Sequence, residues 1–275
     1  MFIPEPVIIE YEGDPWYTIW SLGDQHKGTK HHDGKRWQED IARVRDDPFA
    51  RWIGMGDACE CITYDDPKRF RPEEIAKEFL PNLHRLARAQ RDSYIGDIEC
   101  IADKCIGHHE GNHEAENRKR HQTEVVLDLC ERLNIPYLDY MALSRVVFRR
   151  KADNGKIIKS HVMKIFSEHG SCSARTVAGV TTYLEKLMNS FEADVYFTAH
   201  GHKLVPVKKP ILTITNTGKS HLVQRERYAA MTGAYYLTYQ ENTSSYGEKR
   251  DYPPTVLGAV GVKVRPMTGE MRLVD

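Results

Sequence analysis

The sequence has no excess of either charge, because lysine and arginine together number 39 among 275 residues and aspartate and glutamate also number 39. This balance argues against a broad nucleic-acid-binding surface, which normally shows as a basic excess, but it leaves room for a local basic groove. No apolar run approaches the roughly 18–20 residues that cross a bilayer. The opening stretch "MFIPEPVIIEYEGDPW" has no basic segment followed by an apolar one, so we expect a cytoplasmic protein without membrane contact.

Cysteine is scarce, and its spacing is uninformative. The six cysteines are Cys59, Cys61, Cys100, Cys105, Cys130 and Cys172. Because the sequence shows no secretion signal, we expect free thiols in a reducing compartment rather than disulfides. Neither Cys59 with Cys61 nor Cys100 with Cys105 has the spacing of a four-cysteine zinc site.

Internal repeats, low-complexity tracts and interdomain linkers are also lacking, so we expect one domain over residues 1–275. Short apolar runs alternate with helical patterns, which is typical of a layered α/β domain. Strands are predicted at 16–22, 50–57, 103–109, 161–170 and 193–202, and helices at 34–47, 71–92, 113–134 and 176–191. Helices at about 66–98 are expected to form a local cap, and strands at about 211–275 to complete a second sheet.

Polar residues follow each of the five predicted strands. In chain order they are Asp24 and His26, then Asp57, then Asn112 and His113, then His169, and finally His200 and His202. Each fragment alone has an ordinary explanation, since Gly-Asp pairs are common in turns and asparagine commonly caps helices. Together they lie at the strand ends where sites form in open α/β sheets. Their nitrogen and oxygen atoms make a mixed ligand set for first-row divalent metals.

These segments, "GDQH" (23–26), "GD" (56–57), "GNHE" (111–114), "EHG" (168–170) and "AHGH" (199–202), resemble the motif series of the calcineurin-like metallophosphoesterase superfamily. One departure is visible, because Ala199 stands where the family usually has glycine; since that position is not a ligand, we expect little consequence. The resemblance implies a four-layer α/β/β/α sandwich with two mixed sheets.

The resemblance also implies a role for each site residue. Asp24, His26 and His202 would hold one divalent metal, and Asn112, His169 and His200 the other, with Asp57 bridging the two. His113 would be the catalytic residue that contacts the phosphoryl group and helps to protonate the leaving oxygen. Two Mn²⁺ ions are expected, although the same donors would accept iron or Zn²⁺.

The superfamily includes many hydrolases, so the substrate needs a further signal. The opening "GDQHKG" resembles the D-x-H-x-G motif of Mre11/SbcD-type DNA repair nucleases, which predicts a phosphodiesterase acting on DNA or another nucleic acid, with a hydroxide between the metals as nucleophile. The alternative is a small-molecule phosphodiesterase or phosphatase that acts on a cyclic nucleotide or nucleotide. A non-catalytic interaction module would be expected to have lost ligands, whereas this chain has the full set.

Basic residues cluster just after three of the motifs, at 27–36, 117–121 and 203–209. We expect these clusters to border the mouth of the site, where they would steer a polyanion towards the metals despite the zero net charge. The candidate substrate-binding residues are Lys27, His32, Arg118 and Lys203.

Overall fold

Two mixed β-sheets pack face to face in the computed structural model, which describes residues 1–215 and 218–275. The strands are β1 (Val7–Tyr11), β2 (Tyr17–Leu22), β3 (Ala50–Gly54), β4 (Cys105–His108), β5 (Met141–Lys151), β6 (Ile157–Glu168), β7 (Val195–Thr198), β8 (Val205–Ile214), β9 (Leu222–Met231), β10 (Tyr239–Gln240), β11 (Thr243–Ser244), β12 (Val260–Arg265) and β13 (Glu270–Val274). The α-helices are α1 (Gly34–Asp46), α2 (Leu86–Ile98), α3 (Asn112–His121), α4 (Val125–Leu133), α5 (Val177–Ser190) and α6 (Tyr246–Lys249). Short 3₁₀ segments occupy Pro72–Glu74, Lys77–Arg85 and Glu99–Lys104.

One sheet has six strands in the order β1-β5-β6-β7-β9-β8, and the other has five in the order β13-β12-β2-β3-β4. In the five-stranded sheet β2, β3 and β4 run parallel, and in the six-stranded sheet β6 and β7 do. The carboxyl ends of parallel neighbours meet at one edge of a sheet. The predicted site residues therefore leave the two sheets at such edges.

The β2 strand shows why the sheets are covered on both faces. All six of its residues are buried. Tyr17 and Ile19 point into the core between the sheets, whereas Trp20 and Leu22 pack under the outer helices. Side chains alternate across a strand, so a continuously apolar strand needs partners on both sides.

Helices supply those outer layers. Trp37, Ile41 and Val44 of α1 are buried against the five-stranded sheet, as their spacing predicted. On the opposite side Val180 and Leu184 of α5 pack on the six-stranded sheet. The result is the four-layer α/β/β/α sandwich that was expected.

The continuity of one predicted helix is wrong, whereas the other is interrupted at Pro81, a residue that predicts a kink or division. The helix predicted at 113–134 is divided into α3 and α4 by Gln122, whose φ of 52° is left-handed and whose N–H bonds to Arg118 O. The helix predicted at 71–92 becomes α-helical only at Leu86. Pro81 has no N–H to donate, and Asn82 after it leaves helical geometry at φ −111°.

The β5 strand was not predicted, although it pairs with β6 over its whole length. Its sequence ends in "RVVFRRK". The basic residues in this stretch obscure the strand pattern, although Val146 and Phe148 pack inward in the core.

The segment after His202 supplies strands to both sheets, where we expected it to complete the second. Residues 216 and 217, within the predicted strand "ILTITNT", lie outside the described residues. The domain boundary at 1–275 and the cap at about 66–98 stay predictions. Among described residues, no helix has both the length and the apolar character to cross a membrane. All six cysteines are free.

Candidate metal centre

The predicted site residues converge from both sheets on one cleft. Asp24, His26 and His202 form one group of potential metal-binding side chains, and in each group one donor atom per residue lies within 4.8 Å of the others. Asp57, His169 and His200 form a second such group. Asp24 and Asp57 follow β2 and β3 of the five-stranded sheet, whereas the histidines numbered 169, 200 and 202 follow β6 and β7 of the six-stranded sheet.

In the first group, Asp24 is fully buried. One carboxylate oxygen accepts the His200 N–H at 2.9 Å, but the other, Oδ1, has no hydrogen-bond partner and lies 3.6 Å from His202 Nε2. His26 Nε2 lies 3.0 Å from the same His202 nitrogen. An unpartnered buried carboxylate oxygen facing imidazole nitrogens is unfavourable without a cation, so these residues fit a divalent metal.

In the second group, three acceptor atoms face one another. His169 Nδ1 lies 2.8 Å from Met55 O, a carbonyl that can only accept, so Nδ1 carries a proton. His169 Nε2 then faces Asn112 Oδ1 at 3.1 Å and Asp57 Oδ2 at 3.3 Å. His200 Nδ1 approaches the same Asn112 oxygen at 2.8 Å. A proton or a metal must lie among these atoms, and the mixed oxygen and nitrogen donors suit a first-row divalent ion.

Asp57 lies beside both the second group and the predicted catalytic histidine. Its Oδ1 accepts the His113 N–H at 2.9 Å, while its Oδ2 faces His169. The carboxylate therefore uses one oxygen as the first-turn acceptor of α3. Its bridging role between two metals stays a prediction.

Proton affinities across the centre are strongly altered. Burial raises the pKa of Asp24 to about 7. Burial would raise the pKa of Asp57 as well, but the neighbouring His169 and His113 hold it well below its usual range. Burial lowers the pKa of His26 and His169, yet the carboxylates outweigh it: Glu60 raises the pKa of His26 to about 9, and Asp57 raises that of His169 to about 10. At neutral pH, His26 and His169 are therefore protonated unless a metal displaces the protons.

Metal affinity should therefore rise steeply with pH. His26, His169 and Asp24 must each lose a proton before a divalent ion binds, and their pKa values of about 9, 10 and 7 mean that protons compete with the ion throughout the range below about pH 7. We expect affinity to fall by about tenfold per pH unit for each proton displaced as the solution is acidified. Calorimetric titration with Mn²⁺ in two buffers of different ionisation enthalpy would count the released protons. Affinity independent of pH between 6 and 8 would contradict the prediction.

The backbone is unusual at the same residues. Asp24, His26, Asp57, His200 and His202 have φ values of 54°, 48°, 49°, 65° and 50°. Left-handed backbone at a residue with a Cβ costs on the order of 1–3 kcal/mol and persists where surrounding structure imposes it, often at functional sites. Five of the seven predicted ligands have this backbone conformation. We infer that the surrounding structure imposes these turns because they orient the five side chains towards the cleft.

Two glutamates that sequence reasoning left without a role hold the centre in place. The Glu60 carboxylate accepts from His26 Nδ1 at 2.9 Å, and its backbone oxygen accepts from His113 Nδ1 at 2.7 Å. In both imidazoles Nδ1 is therefore occupied by Glu60, and Nε2 is the nitrogen that can act in the cleft. Glu114, buried, accepts the N–H groups of Asp57, Cys59 and Gly111. The position of Glu114 in the segment "GNHE" could have indicated its role from sequence. For Glu60 the only indication was its closeness in sequence to Asp57.

Gly111 permits the close approach of two of these loops. A Cβ at Gly111 would overlap Asp57 Oδ1, although its φ of −96° suits any residue. Gly111→Ala should therefore displace the carboxylate and reduce metal binding by about 10–100-fold, the usual cost of disturbing a ligand's support. Gly96→Ala is the matched control, because a Cβ there meets nothing within 4 Å and should stabilise α2 by about 0.5–1 kcal/mol. Equal metal affinity in the two variants would contradict this role.

The cleft opens into a cavity of about 670 Å³. Its wall includes His26, Asp57, Asn112, His113, His200 and His202 together with the basic residues Lys68, Arg69, Arg71, Arg175, Lys203, Lys249 and Arg250. The start of the predicted cap, 68–74, contributes to this wall.

Of the four candidate substrate-binding residues, Lys203 lines the cavity. The other three are not among its lining residues. Lys27 pairs with Asp97 at 2.8 Å, Arg118 makes a two-pronged ion pair with Glu110, and His32 Nδ1 bonds to Gln25 O at 2.7 Å. The charges of Lys27 and Arg118 are therefore compensated by carboxylates, and burial lowers the pKa of His32.

Comparison with known proteins adds little. No protein-family model matches the chain, and no curated protein does. Among solved structures it is similar to Vps29 of Chaetomium thermophilum, with 11% identity over 94% of this chain and 93% of that one, at a TM-score of 0.37. A likeness this distant says nothing about activity.

What the site can do chemically therefore has to be inferred from its own residues. Several clusters of histidine and carboxylate side chains can bind metal ions, including a third group of His26, Glu60 and His113. They share one cation-lined cavity, so a metal bound there would meet an anionic ligand.

Proposed function

We propose that this protein is a dimetal-dependent phosphoester hydrolase, and specifically a phosphodiesterase that acts on nucleic acid. The observation that carries the proposal is that two donor groups, Asp24–His26–His202 and Asp57–His169–His200, both reach one cavity lined by lysine and arginine. His26 and His202 of the first group and Asp57 and His200 of the second lie in its wall. The residues of both groups come from the segments that resemble the motif series of calcineurin-like phosphoesterases.

Two divalent ions, of which Mn²⁺ suits these donors well, would polarise the phosphoester and make water a strong nucleophile at neutral pH. Asp24, His26 and His202 would hold one ion, and Asn112, His169 and His200 the other, with Asp57 between them. His113 would handle the leaving-group proton. Its Nδ1 bonds to Glu60 O at 2.7 Å, which fixes the ring and leaves Nε2 to donate to the departing oxygen.

A nucleic-acid substrate is supported by the opening "GDQHKG" and by the lysine and arginine side chains of the cavity. The second candidate is a cyclic nucleotide or nucleotide. The specific observation in its favour is the cavity volume of about 670 Å³, which falls within the roughly 300–1,000 Å³ typical of small-molecule pockets.

A substrate panel tests the proposal. Chelator-treated protein reloaded with Mn²⁺ should bind about two ions per chain and hydrolyse bis(p-nitrophenyl) phosphate faster than p-nitrophenyl phosphate. Labelled single- and double-stranded DNA should then be compared with 2′,3′- and 3′,5′-cyclic nucleotides. Rapid cyclic-nucleotide hydrolysis without DNA degradation would select the second candidate. Inertness on every substrate with two ions bound would leave a binding module instead of an enzyme.

A further inference from the structure

The cations of the cavity wall differ in how their charge is compensated. Arg69 pairs with Asp66 at 2.6 Å, and Lys249 lies 3.9 Å from Glu74. Arg71, Arg175 and Lys203 are cations of the wall that form no ion pair with a carboxylate of residues 1–215 or 218–275.

In the part of the chain that the structure describes, the hydrogen bonds and ring contact of these three cations are made with uncharged groups. Arg71 donates to the carbonyl oxygens of Phe70 and Lys68, and Arg175 lies over the Tyr252 ring with 5.6 Å from guanidinium carbon to ring centroid. Lys203 donates to Gly201 O at 3.3 Å. Uncompensated like charges around one cavity repel one another, and an anion in the cavity relieves that repulsion.

The three cations come from separate parts of the chain. Arg71 precedes the 3₁₀ segment Pro72–Glu74, Arg175 lies just before α5, and Lys203 follows β7 directly after the predicted ligand His202. No single run of basic sequence brings them together; the fold does. Arginine also presents a planar fork of N–H donors that matches phosphate oxygens.

We propose that Arg71, Arg175 and Lys203 form a subsite for a phosphate group adjacent to the scissile one, so that the substrate is an oligonucleotide strand. This assignment rests on the proposed hydrolase function for the meaning of "scissile", but the binding it describes does not require catalysis. A nucleoside polyphosphate is commonly cradled by successive backbone N–H groups of a glycine-rich loop. Side-chain cations on three separate segments instead suit the spaced phosphates of a strand.

The test is a pair of double variants with equal loss of charge. One is Arg71→Ala with Arg175→Ala in the cavity wall; the other is Arg88→Ala with Arg145→Ala, two exposed arginines that do not line the cavity. Binding of a fluorescein-labelled ten-residue oligothymidylate is measured by anisotropy with chelator present, over a range of salt concentrations.

We expect the cavity variant to bind the oligonucleotide about tenfold more weakly and to lose about 1.4 from its salt slope, at about 0.7 per phosphate contact. The Arg88/Arg145 variant should stay within about twofold of wild type, since distant exposed charges are screened by salt. With Mn²⁺, hydrolysis of bis(p-nitrophenyl) phosphate by the Arg88/Arg145 variant should also stay within about twofold of wild type, because neither residue lines the cavity.

Equal binding by the two variants would overturn the subsite. So would a wild-type protein that does not bind the oligonucleotide, or a thymidine monophosphate that competes as strongly as the strand. A wild-type protein that fails to hydrolyse bis(p-nitrophenyl) phosphate would refute the hydrolase while leaving arginine-dependent binding, measured without metal, as a separate result.

Discussion

Replacing His113 by alanine should lower turnover of an unactivated dinucleotide diester by about 10²–10⁴-fold while leaving the bound metal unchanged. The expected loss is that of a general acid positioned on the leaving oxygen. Its Nδ1 is held by Glu60 O and its backbone N–H by Asp57, so the ring is fixed but is no predicted ligand. Metal analysis after reconstitution and steady-state kinetics on the same preparation would check both parts.

The identity of the leaving group makes this prediction sharper. p-Nitrophenolate departs without a proton, so bis(p-nitrophenyl) phosphate should lose much less turnover than the dinucleotide in the His113→Ala variant. His84→Ala is the control, because His84 is exposed and lies outside the cavity wall. If both substrates lose turnover equally, His113 acts on the phosphoryl group and not on the leaving oxygen; wild-type turnover would remove it from the reaction.

Asp57→Asn should abolish the centre rather than weaken it. The side chain keeps its shape but loses the charge that raises the pKa of His169, and it loses one of the two oxygens that are predicted to bind metal. We expect metal affinity to fall by more than the ~10–100-fold that follows loss of a ligand's supporting partner. Turnover should disappear with it.

Metal content and the rise in melting temperature on adding Mn²⁺ measure this effect directly, since a ligand of the folded state stabilises it by mass action. Asp103→Asn is the matched control, because Asp103 is exposed and is not among the residues that line the cavity. An Asp57→Asn protein that still binds two ions with wild-type affinity would show that the carboxylate is no ligand.

The residues predicted as donors lie together in the structure, and their proximity was predictable because they follow strands. Asp24, Asp57 and Asn112 each come just after a parallel strand, and parallel strands must end together at one sheet edge. The convergence of these residues therefore followed from strand order alone, before any side-chain contact was known.

The cavity wall could not be predicted in the same way. Lys27 follows a motif residue directly but turns to Asp97, a partner 70 positions away. Arg71 and Arg175 are far from every motif and still reach the cavity. The direction of a loop side chain is set by tertiary partners, so closeness in sequence to a ligand was a poor guide to substrate contact.

The helices show the same limit. Apolar periodicity located α4 but did not reveal the break at Gln122, because the break depends on a left-handed residue and not on a change of pattern. Glycine or proline would have marked it, and neither is present there.

The supply of donors by both sheets has a consequence for folding. Asp24 and His200, which are joined by a hydrogen bond of 2.9 Å, are 176 residues apart. Both sheets must be assembled and packed before the groups Asp24–His26–His202 and Asp57–His169–His200 exist. Added metal should therefore slow unfolding while leaving the refolding rate nearly unchanged, since it stabilises contacts absent from the transition state.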